Sequence, residues 1–279
     1  MDLDLPVCVT CGVQYEADVD RAHCAICEDD RQYVGWDGQR WTSLRELAAQ
    51  GVRAVVREEE PGLWGVGSEP EFAIGQRALL VPGDGGTVLW DCVTPIDDDA
   101  VAAVRARGGI AAIALSHPHY YSSIVEWSRA FGDVPIWVHA DDERWLGRRA
   151  NVRLWRGERV EVLPGRTMLD LRVHFPGGSV LHWPGLDGRG AVCSGDILQV
   201  VPDRRWVSFM YSYPNLVPEH PDVIARALAL LQPYDFDRVY GAWWGRVVHA
   251  DAKAAVTRSA HRYFAHIDAA TDALPPSPR

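Results

Sequence analysis

The sequence predicts a layered α/β fold preceded by a small module of different character. Three observations predict it. Apolar runs of strand length recur from Val52 onward, bounded by turn residues and interrupted by helical stretches. Each strand-rich half is closed by helices, "IDDDAVAAVRARGG" and "SSIVEWSRAFG" in the first and "PDVIARALALLQPY" and "ADAKAAVTRSAHRYFAHIDAA" in the second. The first thirty residues hold little apolar material but four of the six cysteines. Over the whole chain of 279 residues, 47% are hydrophobic, enough for a substantial core.

"CVTCG" and "CAICE" place Cys8, Cys11, Cys24 and Cys27 in two C-x2-C turns separated by twelve residues. Each turn aims two thiolates at one point, and two turns complete a tetrahedron. A reducing cytosol disfavours disulfides. The pattern therefore predicts a structural zinc that replaces a core over residues 1–32, with a redox dithiol as the alternative. Four thiolates leave no open position for catalysis at that ion. Residues 33–51 are expected to connect this module to the main domain. Ser43 and Glu46 have capping-box spacing, which opens a helix through Ala49 that Gly51 ends.

Residues 52–272 are expected to form the main domain. "VRAVV", "GLWGVG", "FAIGQRALLV" and "TVLWDC" read as strands, with "PGDGG" as the turn between the last two. The chain then alternates helix and strand through "IAAIAL", "VPIWVH" and a short helix in "ADDERWLG". Strands "RVEVL", "TMLDLRVHF", "SVLHW" and "GAVCSG" follow, then an irregular stretch up to the two closing helices, which flank strand "DRVYG". Residues 273–279 are expected to be a frayed tail.

The formal net charge of −10 disfavours nucleic acid as a partner. No apolar run approaches the ~20 residues that span a bilayer. "MDLDLPVC" lacks a basic n-region, so the expectation is a cytoplasmic protein without signal peptide or membrane partner. A small-molecule substrate is the expected partner, and a homo-oligomer stays open.

Polar residues recur where apolar strands end: Asp91, His117 with His119, His174 and Asp196. Open sheets place their sites at such ends. Residues i and i+2 of an extended chain point to the same side, and Pro118 disfavours the α region at His117. His117 and His119 are thus expected to approach one ion from an extended chain. His174, in "VHFPGG", is expected to end another strand, and Asp196, in "CSGDIL", follows a small-residue turn. Three imidazoles and a carboxylate make a metal site with room for water. Arg204 and Arg205, just past Asp196, would pair with an anionic substrate group; pairing with the protein's own carboxylates is the alternative. His139 is expected to be a cap or local hydrogen-bond partner.

The order "LWDC", "SHPHYYS", "VHFPGG", "CSGD" resembles the metallo-β-lactamase superfamily. Its pattern runs from a strand-ending Asp to H-x-H-x-D-H, then a His in a G-H-T-P-G-like turn, an Asp in S-G-D, and a late His. The resemblance covers roughly residues 52 to 270 and leaves the cysteine module outside. It implies an αββα sandwich with its site along one edge, and kinship to glyoxalase II-like hydrolases. It implies that His117, His119 and His174 hold the first metal, that Asp196 is the carboxylate usually bridging two metals, and that Asp91 orients ligands from behind.

The departures fall on one ion. Tyr121 stands where its Asp should be, Ser122 where its His should be, and Ala242, Trp243 and Trp244 occupy the place of the late His. The resemblance so amended implies one active-site metal, zinc or iron. Asp196 would ligate it or take a proton from its water, and Tyr121 would donate to an oxyanion or leaving group. Tyr120, Trp243 and Trp244 join Arg204 and Arg205 as candidate substrate contacts, with loop and core packing as the alternative for the aromatics. The function implied is mononuclear metal-dependent hydrolysis of a small ester, thioester, lactone or related molecule. The alternatives are a non-catalytic binding module on the same fold and a mononuclear iron redox protein.

Overall fold

A computed structural model of the chain describes residues 1–277. The cysteine module opens it with β1 (Val7–Cys8) paired to β2 (Trp41–Thr42), followed by helix α1 (Leu44–Ala49). Ser43 Oγ accepts the Glu46 N–H at 3.2 Å, as the capping box requires.

The first large sheet follows in chain order: β3 (Arg53–Glu60), β4 (Leu63–Glu69), β5 (Ala78–Val81), β6 (Val88–Trp90), β7 (Ala112–Ala114), β8 (Ile136–His139) and β9 (Val152–Trp155). It is antiparallel up to β6 and parallel beyond. Helices α2 (Asp98–Arg105) and α3 (Ile124–Ala130) are the crossovers of its parallel part. The second sheet contains β10 (Arg159–Leu163), β11 (Arg166–Asp170), β12 (Ser179–Trp183) and β13 (Ala191–Gly195). Between its halves lie two short hairpins, β14 (Gln199–Val200) with β15 (Val207–Ser208), and β16 (Met210–Ser212) with β17 (Val217–Pro218). Helix α4 (Pro221–Leu231), strands β18 (Arg238–Gly241) and β19 (Val247–Val248), and helix α5 (Ala252–His266) complete the chain.

Strand alternation assigns each side chain its layer. Leu79, Val81, Val88, Trp90, Ala112 and Ala114 of the first sheet meet Met168, Leu181, Trp183, Ala191, Cys193 and Tyr240 of the second. Their neighbours Ala78, Leu80, Leu89 and Ile113 pack instead with Val101, Val104, Val125 and Trp127 of α2 and α3. Leu169, Val180, Val192 and Val239 pack with Ile224, Leu228, Val256 and Phe264 of α4 and α5. The result is the expected αββα sandwich.

The cysteine module does not stand apart from it. All four cysteines, with Val7, Val13 and Ile26, belong to the same apolar cluster as Ile124 and Trp127. Arg148, 4% exposed, fixes the module by donating to Gln14 Oε1 at 2.8 Å, Glu16 Oε1 at 3.2 Å and buried Glu126.

Several expectations are corrected. β9 was not foreseen, because this edge strand exposes Arg153 and Leu154 and lacks an apolar run. "FAIGQRALLV" is strand only from Ala78, since Ala73 and Gly75 have φ of 54° and 72°. "ADDERWLG" is a 3-10 turn over Ala140–Trp145. Within the expected tail Leu274 is buried and His261 Nε2 donates to Pro275 O at 2.7 Å, while Ala273, Pro276 and Ser277 are exposed. Positions 278 and 279 of that tail lie outside the described residues. Among the described residues no helix is long and apolar enough to cross a membrane.

Candidate metal centre

Among the described residues two clusters of metal-ligating atoms are present. In the first, Cys8, Cys11, Cys24 and Cys27 are each at most 2% exposed, with Sγ atoms 3.5 Å apart for Cys8 and Cys27 and 3.8 Å for Cys11 and Cys24. A tetrahedral ion with Zn–S bonds of ~2.3 Å requires edges of about 3.8 Å. The cluster therefore fits a zinc ribbon. Gln39 Nε2 donates to Cys8 Sγ at 3.1 Å and Tyr15 Oη lies 3.3 Å from Cys24 Sγ, the kind of contact that neutralises thiolate charge.

In the second, ligand atoms of His117, His119, His174 and Asp196 all lie within 4.8 Å of one another. His174 Nε2 is 3.3 Å from His119 Nδ1, and His117 Nε2 is 3.2 Å from Asp196 Oδ1. Edges of about 3.3 Å are what metal–ligand bonds of ~2.0–2.1 Å demand. His117 Nε2 and Asp196 Oδ1 are buried without a hydrogen-bond partner, which is costly unless a cation completes them. Burial holds the His117 and His119 imidazoles well below their ordinary range, and that of His174 down to about 4. Neutral imidazoles are the form that ligates. Burial, with the charge of Asp91 adding, pushes the Asp196 carboxyl up to about 7.

The local fold explains each position. Residues 117–120 do not continue as a strand: His117 is extended at φ −171°, but Pro118–Tyr120 turn as 3-10. This corrects the expected extended pair, since the two rings converge across a turn, one through Nε2 and the other through Nδ1. Ser116 Oγ lies 2.9 Å from His117 Nδ1, and Asp91 Oδ1 accepts the Ser116 N–H at 2.8 Å. Asp91 is thus linked to His117 through Ser116. Gly195, at φ 57°, lets the chain before Asp196 pass close to both: an added Cβ would sit 2.9 Å from Ser116 Oγ and 3.1 Å from Asp91 Oδ2.

His174 does not end a strand either. β11 stops at Asp170, and His174 lies beyond it in a turn at φ 69°. Its N–H donates to Glu219 Oε2 at 2.8 Å, and its Nδ1 donates to Tyr211 O at 2.8 Å, which leaves Nε2 for a metal. "PGG" is required because a Cβ on Gly178 would stand 2.1 Å from Val173 O. Phe175 packs against all three imidazoles, and Arg31 of the ribbon lies over Phe175 at 4.7 Å while paired to Asp29 at 2.7 Å. Glu219 and Arg31 carry no recognisable signal in the sequence, because each acts through tertiary contact alone.

A cavity of about 370 Å³ opens on His119, His174 and Asp196. Its other walls are Thr10 and Gln32 of the ribbon and Tyr33 of the connecting segment, with Ala73, Ile74, Gln199, Tyr213, Pro214 and Trp243. Of the expected substrate contacts, only Trp243 lines it; its Nε1 donates to Ile74 O at 3.1 Å. Trp244 instead lies flat on β4, where a Cβ on Gly65 or Gly67 would collide with its ring. Arg204 and Arg205 border a different surface hollow, and Arg205 is paired with Asp203 at 2.8 Å. Tyr120 is fully buried against His117 rather than in the cavity. Tyr121, the expected catalytic donor, belongs to the core, and its hydroxyl donates to Asp142 O at 3.4 Å. Ser122 Oγ accepts from Gln76 Nε2 at 3.0 Å. His139 accepts from the Asp141 N–H at 3.3 Å and rests on Trp155, as a local hydrogen-bond partner would.

The family described as "Metallo-beta-lactamase superfamily" matches residues 74–243. A Bacillus subtilis (strain 168) protein titled "Uncharacterized protein YmaE" is 46% identical over 262 residues, covering 92% of this chain and 95% of its own. Among solved structures, VMB-1 aligns with a TM-score of 0.57 at 13% identity, over 77% of this chain and 98% of its own. The metallo-β-lactamase FIM-1 from Pseudomonas aeruginosa, in its mono-zinc form, aligns with a TM-score of 0.54 at 16% identity, over 76% and 96%. These two share the sandwich of the main domain. Fold, ligand order and family match agree: the chain belongs to the metallo-β-lactamase superfamily, whose membership supports metal-dependent hydrolysis in general.

Proposed function

We propose that the protein is a mononuclear metal-dependent hydrolase of a small ester, thioester, lactone or related molecule. The observation that carries this reading is the asymmetry of the site. Four donors converge beside a cavity, while the places of a second ion's ligands are taken by Tyr121 in the core, Ser122 bonded to Gln76, and Trp243 in the wall. FIM-1, a structural neighbour, is known in a mono-zinc form, so the fold is compatible with one ion. Three imidazoles and a carboxylate suit zinc or ferrous iron.

A divalent ion held by His117, His119, His174 and Asp196 would supply an acidified water and a Lewis acid for a carbonyl oxygen. The chain's own residues do the rest. Asp196 lies in the cavity wall, where its carboxylate would ligate the ion or take a proton from its water. Tyr213 Oη donates to Asp196 O at 2.8 Å and fixes the backbone that carries that carboxyl. Ser116 and Tyr211 set the tautomers of His117 and His174. Ile74, Pro214 and Trp243 cover the acyl group and exclude water around it.

The test combines elemental analysis with turnover of p-nitrophenyl acetate, phenyl thioacetate and γ-butyrolactone. The reading expects two metals per chain and chelator-sensitive turnover of at least one probe, abolished by His174→Ala. Two bound metals with no turnover of any probe would favour the non-catalytic binding module instead.

A further inference from the structure

Large apolar side chains that stand exposed are few among the described residues, and they are not scattered. Of nine, five fall in two short segments: Tyr33, Val34 and Trp36 just after the ribbon, and Leu216 with Val217 at the tip of the β16–β17 hairpin. Asn215 joins these segments, its Nδ2 donating to Asp30 O at 2.9 Å and to Gln32 O at 3.0 Å. The residue before Leu216 is thereby held against the residue before Tyr33.

The fold does not ask for apolar side chains at either place. Leu216 sits at φ 56°, a left-handed position that glycine or asparagine fills with less strain, and it is 79% exposed. Trp36 is fully exposed in a turn closed by the Gly38 N–H on Gly35 O at 2.9 Å, where a polar residue serves as well. Grouped exposed apolar side chains of this kind mark a binding surface.

The cavity indicates what covers them. Tyr33 and Pro214 are exposed, and both also line the cavity with His119, His174 and Asp196. The rim and the cavity wall are thus continuous. At about 370 Å³ the cavity is near the small end of the ~300–1,000 Å³ usual for small-molecule sites, so a larger ligand continues onto the rim. No lysine or arginine lines the cavity, and Asp29 and Asp30 flank the joint, so the extension that fits is uncharged. A second copy seated on the rim would stand over the cavity mouth, and a net charge of −10 works against an anionic membrane.

From this arrangement we infer that the site takes an amphiphilic acyl substrate: the acyl carbon enters the cavity and a hydrocarbon chain runs out across the rim of Tyr33, Pro214 and Leu216. The connecting segment after the ribbon is then part of the substrate site. This assignment rests on the hydrolase reading for the group in the cavity and gives that reading a substrate class.

The experiment titrates the metal-loaded full chain with butanohydroxamate and octanohydroxamate by calorimetry, the latter below its micellar concentration. The longer probe is expected to bind about tenfold tighter or more. Leu216→Asn combined with Trp36→Ser should bring the two affinities within about threefold. Leu186→Ser removes an exposed leucine that borders a different hollow, and should keep the full preference. Equal affinities in the wild type, an undiminished preference in the double variant, an equal loss in Leu186→Ser, or no binding of either probe would each overturn the assignment. So would a wild-type dimer in sedimentation velocity that the double variant dissociates, or flotation with phosphatidylcholine vesicles without a chain-length preference. The wild-type comparison stands even where a variant fails to fold. A chain-length preference in a protein that hydrolyses no ester would sink the hydrolase reading alone. Ester hydrolysis without that preference would sink the rim assignment alone.

Discussion

The Gln14 N–H donates to the carbonyl of Ser122 at 3.0 Å. The ribbon is thereby bonded to the residue standing where the family carries a ligand of its second metal. Thr94 Oγ1 adds a bond to Gly12 O at 2.8 Å, and the cysteines share a core with α3. The module occupies ground beside the altered ligand segment instead of hanging from a linker. Cys24→Ser is therefore expected to destabilise the whole chain in a single unfolding transition, with Tm lowered by more than about 5 °C. Calorimetry showing an unchanged main transition and a separate ribbon loss would contradict this.

Arg148 is the electrostatic anchor of the same contact. It pairs with fully buried Glu126 as well as with Glu16 and Asp2, and bonds Gln14. Removing one partner of a buried pair leaves the other charge uncompensated and costs ~3–5 kcal/mol. Arg148→Met should lose stability of that order in urea unfolding, and Arg148→Met with Glu126→Leu should recover part of it. A loss below about 1 kcal/mol in the single variant would refute the anchoring role.

Asp91 holds Ser116, which contacts His117, and lies beside Gly195 next to Asp196, so its effect should appear in metal affinity before anything else. Asp91→Ala removes the acceptor for the Ser116 N–H and should weaken active-site metal binding about 10–100-fold. Asp91→Asn keeps an acceptor and should lose less. Competition with a chromogenic chelator measures both; equal affinity in the wild type and Asp91→Ala would remove Asp91 from the ligand support.

Asp142 gives a pH signature. Burial pushes its carboxyl up to about 7, against the pull of the Gly177 N–H it accepts at 2.9 Å. The folded protein holds this proton up to about pH 7, whereas the unfolded chain releases it near 3.8. Its contribution to stability is thus most favourable below pH 3.8, falls as pH rises toward 7, and is flat above that. Asp142→Asn keeps an acceptor for Gly177 without the ionisation. The variant's stability relative to wild type should rise from pH 4 to 7 and then level off, by up to about 4 kcal/mol. A difference independent of pH would contradict the burial argument.

Much of the fold was legible because strand alternation and caps are local. Ser43, Asp97 and the Leu79/Leu80 alternation each state their position within a few residues. The cluster was legible for a different reason: His117, His119, His174 and Asp196 sit in short turns whose glycines are forced by close packing there, as at Gly178 and Gly195. Their supports were not legible. Glu219 meets His174 across 45 residues, and Gln32 reaches the cavity only because Asn215 holds it from 183 residues away. Arg204 and Arg205 misled because nearness to Asp196 in sequence did not survive the β14–β15 hairpin, which turns them to another surface. Tyr121 misled because its position in the motif suggested a role that its burial in the core removes.

The central claim is one ion among His117, His119, His174 and Asp196, next to one among the four cysteines. Anomalous diffraction from crystals grown with metal in excess tests it most directly. The account predicts two anomalous peaks per chain, one in each cluster, with the second lost in His174→Ala. A peak at the cysteines alone, or a pair of ions between His119 and Trp243, would contradict it.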